Sequence, residues 1–341
     1  MRYMKRTNLM KTLLLIPALL IMGITFGQKA KKYDHDPTYY EMYPDKLTGR
    51  IYAAKKFEDI NVPSGGSAPD LKFVANHKLN FGLGVTWHNF SINGFYGFNN
   101  TSSNRGKTKG LDLQVHMFPH KWAIDVLAIM PKGMYIKPKG AGSTDPAKYY
   151  SNPNTKERIY GIAAYKVPNK EKFSYRAALV QNEWQKKSAG SLLYGGEIYL
   201  VIGPENDSNF IPQPIENNYI QKGYHEMKFI SVGPGIGYAY TAVLGQHFFI
   251  TGSLIANLKI NFATEEVPAV VKKTSFGPSA IFKSAIGYNS SSWSFVLQAT
   301  GNALIAKGPA SLQNYTYKAE QFKLALAKKF LIRKKHPTRT S

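Results

Sequence analysis

The chain has 341 residues, no cysteine and a formal net charge of +23. Without cysteine it has no disulfide framework and no thiolate metal site, and no internal segment approaches the ~18–20 consecutive apolar residues that a spanning helix needs. Lys and Arg are spread over loops and strand ends rather than gathered on one helix, which points to anionic lipid head groups as partners and away from nucleic acid.

Arg2, Lys5, Arg6 and Lys11 head the apolar run 12–26, and small Gly27 precedes Gln28. A cationic head, an apolar stretch of this length and a small residue make residues 1–27 a secretory signal peptide. Residues 28–46 are a polar lead-in carrying Tyr39, Tyr40 and Tyr43. Alternation then begins: Leu47, Gly49, Ile51 and Ala53 face one way, and Thr48, Arg50 and Tyr52 the other. Successive strand side chains point to opposite faces, so such a segment has one apolar and one polar wall.

Residues 63–69 (PSGGSAP) form a loop, and 71–87 a long strand with Leu79, Phe81, Leu83, Val85 and Trp87 on one face. A turn at 88–89 leads to a strand at 90–98, and 99–109 reads as a flexible loop. The clearest hairpin follows at 111–130, turning at Pro119-His120. Leu111, Leu113, Val115 and Met117 oppose Asp112, Gln114 and His116, and then Trp122, Ile124, Val126 and Ala128 oppose Asp125. Residues 131–155, rich in Gly, Pro and Lys, read as an exposed loop. Strands are expected at 158–166, 173–181 and 191–202, and 204–225 is a second long loop holding Pro212 and Pro214. Hairpins follow at 227–261 and 275–300, a last strand at 319–330, and a basic tail at 331–341.

This reading has thirteen candidate strands, whereas a single-chain bacterial barrel has an even number. Either one segment lies outside the wall, giving 12, or a strand hides in 204–225, giving 14; the prolines there favour 12. The expected fold is all-β, a transmembrane antiparallel up-and-down β-barrel over 47–330, with a soluble sandwich as the competing reading. Trp87, Phe98, Phe118, Trp122, Phe173, Phe248, Tyr288, Trp293 and Phe330 sit near strand ends, as interfacial aromatic girdles do.

Three stretches carry a family likeness: YYEMYPDKLTGRIYAAKKF from Tyr39, GKTKGLDLQVHMF from Gly106 and KFSYRAALVQNEWQKKSAGSLLYGG from Lys172. Together they resemble a family of exported Gram-negative proteins known as domain of unknown function 4421, with the run from Gln185 to Ser191 as the most specific piece. The resemblance implies an outer-membrane location and a barrel. It implies no activity, substrate or cofactor.

Projecting the alternation inward places Arg50, Lys72, Asp112, His116, Asp125, Arg176, Glu197, Lys259, Lys283 and Lys323 on the polar face. Buried charges need partners, so these residues stiffen or plug the lumen, line a solute path, or in the remaining alternative serve catalysis. His116 shares its face with Gln114 and Asp112, a spacing common to any alternating strand, and reads as a lumen residue hydrogen-bonded to a neighbour. The glycines of Gly233-Pro234-Gly235-Ile236-Gly237 lie within a strand and lack the strand–turn–helix context of a phosphate loop. No metal-ligand spacing is present, so no metal and no cofactor are expected. Glu183, Gln185, Lys186, Lys187 and Ser188 form a polar connection, read either as a tight turn or as a docking loop for an envelope partner. The expected function is that of an outer-membrane barrel without enzymatic activity, structural or passing small solutes, surrounded by outer-membrane lipids. A binding or assembly role in a cell-envelope complex and a lipid-modifying barrel enzyme are the alternatives.

Overall fold

The computed structural model describes residues 35–88, 90–97, 103–119, 121–207, 209–266 and 270–332. The expected signal peptide, the tail beyond 332, and the positions Asn89, Phe98 and His120 lie outside the described residues. In chain order the elements are β1 (Tyr40–Met42), β2 (Lys46–Val62), β3 (Leu71–Ala75), β4 (Leu79–Trp87), β5 (Phe90–Gly97), β6 (Lys109–Met117), β7 (Trp122–Lys137), β8 (Ser151–Lys166), helix α1 (Tyr175–Leu179), β9 (Glu183–Gln185), β10 (Ala189–Glu205), β11 (Glu226–Leu244), β12 (Phe248–Glu266), β13 (Val270–Asn289), β14 (Trp293–Lys307) and β15 (Asn314–Leu331).

The strands of the large sheet pair antiparallel, each with its neighbours in sequence except β3, which pairs with β2 on one side and with the Met134–Lys137 end of β7 on the other. β15 then pairs with β2 from Thr316–Asn61 to Leu331–Lys46, which closes the ring and leaves no edge there for water or another chain to satisfy. β3 and β4 run in the same direction along β2, at Asp59–Val62 and Thr48–Lys55 respectively, so they are two halves of one broken strand. Counted so, the described ring has twelve strands. One end carries the short turns, such as 245–247 between β11 and β12, together with the 167–188 connection that enters the barrel; the other carries the connections 138–150 and 206–225.

β12 shows how the sequence makes the wall. Phe249, Thr251, Ser253, Ile255, Asn257, Lys259, Asn261, Ala263 and Glu265 are buried, while Phe248, Ile250, Leu254, Leu258, Ile260 and Phe262 between them are exposed. The same outward apolar surface continues round the ring through Leu83, Ile92, Leu113, Ile198, Ile236, Ile286, Leu297 and Leu324. Apolar outside and polar inside is the inverse of a soluble barrel. Trp87, Trp122, Phe248, Trp293 and Phe330 are exposed at the short-turn end. Phe118 and Phe173 are buried inside the barrel and are no part of that girdle.

Residues 173–181 are not a wall strand. They form α1, with Ser174 as N-cap accepting from the Ala177 amide at 3.0 Å, and they pack inside the short-turn end. Phe173, Ser174, Tyr175, Ala177, Ala178, Val180 and Gln181 are all buried. A wall strand needs one face toward lipid, and this segment has none. β9 follows and pairs with β1, so the lead-in is stitched to the same plug. The long connections also differ from expectation: β7 runs on to Lys137 and β8 starts at Ser151, which reduces that loop to 138–150, while 206–225 contains a 3-10 turn at Gln213–Asn218.

Candidate functional site

The lumen is filled differently at three heights. At the loop end the inward faces become largely apolar: Ile60, Phe73, Ile136, Ile159, Val201, Phe229, Leu304 and Tyr315 join Phe210, Ile211 and Tyr224 of the 206–225 connection in one core, which also buries the carboxylates of Glu58, Glu157 and Glu265. At the short-turn end the α1 segment is fastened to the wall. Gln298 Nε2 donates to the Ala178 and Leu179 carbonyls at 2.7 and 3.0 Å, Asn289 Nδ2 to the Glu183 carbonyl at 2.7 Å, and Tyr175 Oη to Ser253 Oγ at 2.8 Å.

Between these two closures lies a chamber of about 120 Å³ into which several charged side chains project, roofed by Tyr199 and Ile129 and floored by Leu179. His116 Nδ1 and Asp125 Oδ1 are 2.6 Å apart across the β6–β7 pair, and Lys283 Nζ reaches Asp125 Oδ2 at 2.5 Å. Lys56 of β2 pairs with Asp112 of β6, and Gln114 Nε2 donates to Asp112 Oδ1 at 3.2 Å. Deeper in the wall, Lys259 and Glu197 form an ion pair at 3.1 Å with both side chains fully buried. Ser279 Oγ also donates to Glu197, at 2.5 Å.

Two cations stand apart. The Arg50 guanidinium is satisfied by neutral groups only: Thr86 Oγ1 and Ser91 Oγ, each at 2.7 Å, and the Val180 carbonyl at 2.5 Å. Lys323 lies 5.8 Å from the Tyr52 ring centre, and among the described residues it has neither a carboxylate nor a hydrogen-bond partner. Lys323, Lys56, Gln321, Gln114 and His116 line both the chamber and a smaller annex of about 30 Å³ beside β5 and β6.

The structure therefore gathers Asp112, His116, Asp125 and Lys323 at the chamber, with Arg50 below it and Glu197 in a separate buried pair. Arg176 is on α1 rather than in the wall, 3.2 Å from Glu183. Lys72 is exposed, because the break at Asn76-His77-Lys78 reverses the phase of β3 relative to β4. Glu183 and Gln185 are not on an open docking loop. Both are buried, and Gln185 holds the plug by accepting from the Ser174 amide at 2.7 Å and donating to the Lys172 carbonyl at 2.7 Å. Lys186 pairs with Glu41 at 2.7 Å rather than with Glu183, and Lys187 and Ser188 are exposed. Sequence reasoning missed Lys56, Gln298 and Gln321. Lys56 and Gln321 lie on lumen faces whose parity was readable from Arg50 and Lys323.

The sequence matches the family Domain of unknown function (DUF4421) over residues 33–329. The chain belongs to that family. Among curated proteins none matches the sequence. Solved structures similar to this family member include the outer membrane protease OmpT from Escherichia coli, at 10% identity over 85% of this chain and 98% of that one, TM-score 0.38. The outer membrane protein AlkL in lipid bilayers is similar at 9% identity over 92% and 99%, TM-score 0.25. The P. putida toluene transporter TodX is similar at 7% identity over 85% and 92%, TM-score 0.24. At these values no residue role passes from them to the family member.

Proposed function

We propose that this protein is an outer-membrane barrel whose lumen is a shut compartment, holding or handing on a small polar molecule without covalent chemistry. The observation that carries the reading is the stacking of three layers inside one ring: a fastened plug, a charged chamber, and a largely apolar core. The outward apolar surface and the exposed tryptophans at one rim support placement in a bilayer, with outer-membrane lipids as its surroundings. A buried charged chamber between two closures is costly unless something uses it, since unpartnered charge in low dielectric is unfavourable.

The absence of native cysteine makes the test clean. Gln321→Cys places a thiol in the chamber. In vesicles, a charged, membrane-impermeant thiol reagent should label it at least a hundredfold more slowly than it labels the same protein unfolded. Labelling as fast as in the unfolded chain would mean an open aqueous lumen and would end the compartment reading.

A further inference from the structure

Among the described residues, the strand pairing round the wall is shortest between β5 and β6. β4 pairs with β5 along its length, from Asn80–Gly97 to Trp87–Phe90, and β6 pairs with β7 from Lys109–Lys132 to Met117–Ile124. Between β5 and β6, however, only Phe90–Met117 and Ser91–His116 are in register among the described residues.

The cause is visible in what each strand is tied to. Tyr52 Oη donates to the Gly94 carbonyl at 3.0 Å, taking an acceptor of β5, and Arg50 holds Ser91 at 2.7 Å and Asn93 at 3.3 Å. The Tyr52 ring lies where a side chain at Gly82 would stand, so only glycine there allows this reach. The segment entering β6 is tied elsewhere: Asn76 Nδ2, in the break after β3, donates to the Gly106 carbonyl at 2.8 Å, and Thr108 Oγ1 donates to the Gly133 carbonyl of β7 at 2.5 Å. β5 is thus drawn to β2 while β6 stays with β7.

The parting leads somewhere. The annex behind it is lined by Asn93 from one strand and Asp112, Gln114 and His116 from the other, and it runs into the chamber at Lys323. The outer lips are apolar, with Ile92, Leu111 and Leu113 exposed. Lys323 lies near the cations Arg50 and Lys56, while the chamber and annex carboxylates are engaged by other groups: Asp112 by Lys56, Asp125 by His116 and Lys283, and Glu58 by His77.

Apolar lips, a polar annex and an ammonium with no direct partner among the described residues fit an amphiphile. We propose that the β5–β6 parting is a side entrance from the bilayer, through which the anionic head group of a single-chain amphiphile reaches Lys323 and Lys56. This rests on the reading of the chain as a membrane barrel with a shut lumen. A charge-assisted contact in a poorly hydrated site is strong enough to hold such a head group, and the chain of the ligand stays in lipid at the lips.

The test uses full-length mature protein refolded into phosphatidylcholine vesicles, with the fluorescent fatty acid 11-dansylaminoundecanoate as probe. Saturable binding is expected, weakened at least tenfold in Lys323→Gln. Inorganic phosphate at millimolar concentration should not displace the probe. The double variant Ile92→Cys/Val115→Cys occupies the next position in register beyond Ser91–His116. Joining the two thiols, by oxidation or with a short bismaleimide, should abolish binding, whereas the unjoined variant binds. Full binding by Lys323→Gln, by the joined variant, or displacement by phosphate alone would overturn the proposal. A chain that fails to float with the vesicles would instead refute the membrane reading.

Discussion

Gln298 Nε2 donates to the carbonyl oxygen of Ala178 at 2.7 Å, so a wall strand caps the C-terminal end of the helix inside the barrel. The last carbonyls of a helix have no partner within it, and here β14 supplies one. In Gln298→Leu the Ala178 carbonyl keeps Gln181 Nε2 at 2.9 Å but the Leu179 carbonyl loses its donor, so stability should fall by about 1–3 kcal/mol, the usual penalty for an orphaned buried acceptor. Urea unfolding in detergent, read by the gel shift between unheated and boiled samples, measures it.

The Glu197–Lys259 pair makes an opposite prediction for single and double changes. Both side chains are fully buried at 3.1 Å. Glu197→Ala leaves an uncompensated ammonium and should destabilise by about 3–5 kcal/mol, while Glu197→Leu combined with Lys259→Met should recover most of that loss. The same unfolding series checks both, and a double variant no better than the single one would contradict the argument.

Glu157 is a liability in the fold. It is fully buried on β8, and neither carboxylate oxygen has a hydrogen-bond partner among the described residues. Glu157→Leu should stabilise the protein by about 1–3 kcal/mol, because an unsatisfied buried polar group is exchanged for an apolar one. A neutral or destabilising outcome in the same assay would mean that the carboxylate is used.

Leu254 tests which side meets lipid. It is exposed toward the outside of β12 beside Tyr238 and Phe282. Leu254→Arg should cost about 2–4 kcal/mol if the position lies near the bilayer midplane, and should slow insertion into vesicles. In an aqueous-facing wall it would be nearly silent.

Much of this architecture was legible in the chain. Strict alternation in segments such as 111–117 and 247–261 gives the strand faces directly, because the period of two is a property of the backbone itself. The parity of thirteen candidates required either that one segment leave the wall or that a further strand hide in 204–225, and the prolines there favoured the first. What alternation could not show is that the segment is 173–181: Phe173, Tyr175, Ala177 and Leu179 mimic a strand face, and a five-residue helix is too short to display its own period. Ser174 ahead of Ala177-Ala178 was the available signal. Lys72 was misplaced for a related reason, since a three-residue break shifts phase without changing composition. The three-layered lumen and the parting of β5 from β6 arise from long-range partners such as Arg50–Ser91 and Tyr52–Gly94, which no local pattern encodes.

The central claim is a closed membrane barrel with no through-path. The most direct measurement is single-channel recording of refolded protein in planar bilayers, with the unheated-versus-boiled gel shift establishing that the sample is folded. The account predicts a heat-shifting protein that gives no discrete conductance steps. Regular steps from that same folded protein would contradict it, because ions would then be crossing both the α1 plug and the apolar core around Phe73 and Tyr315.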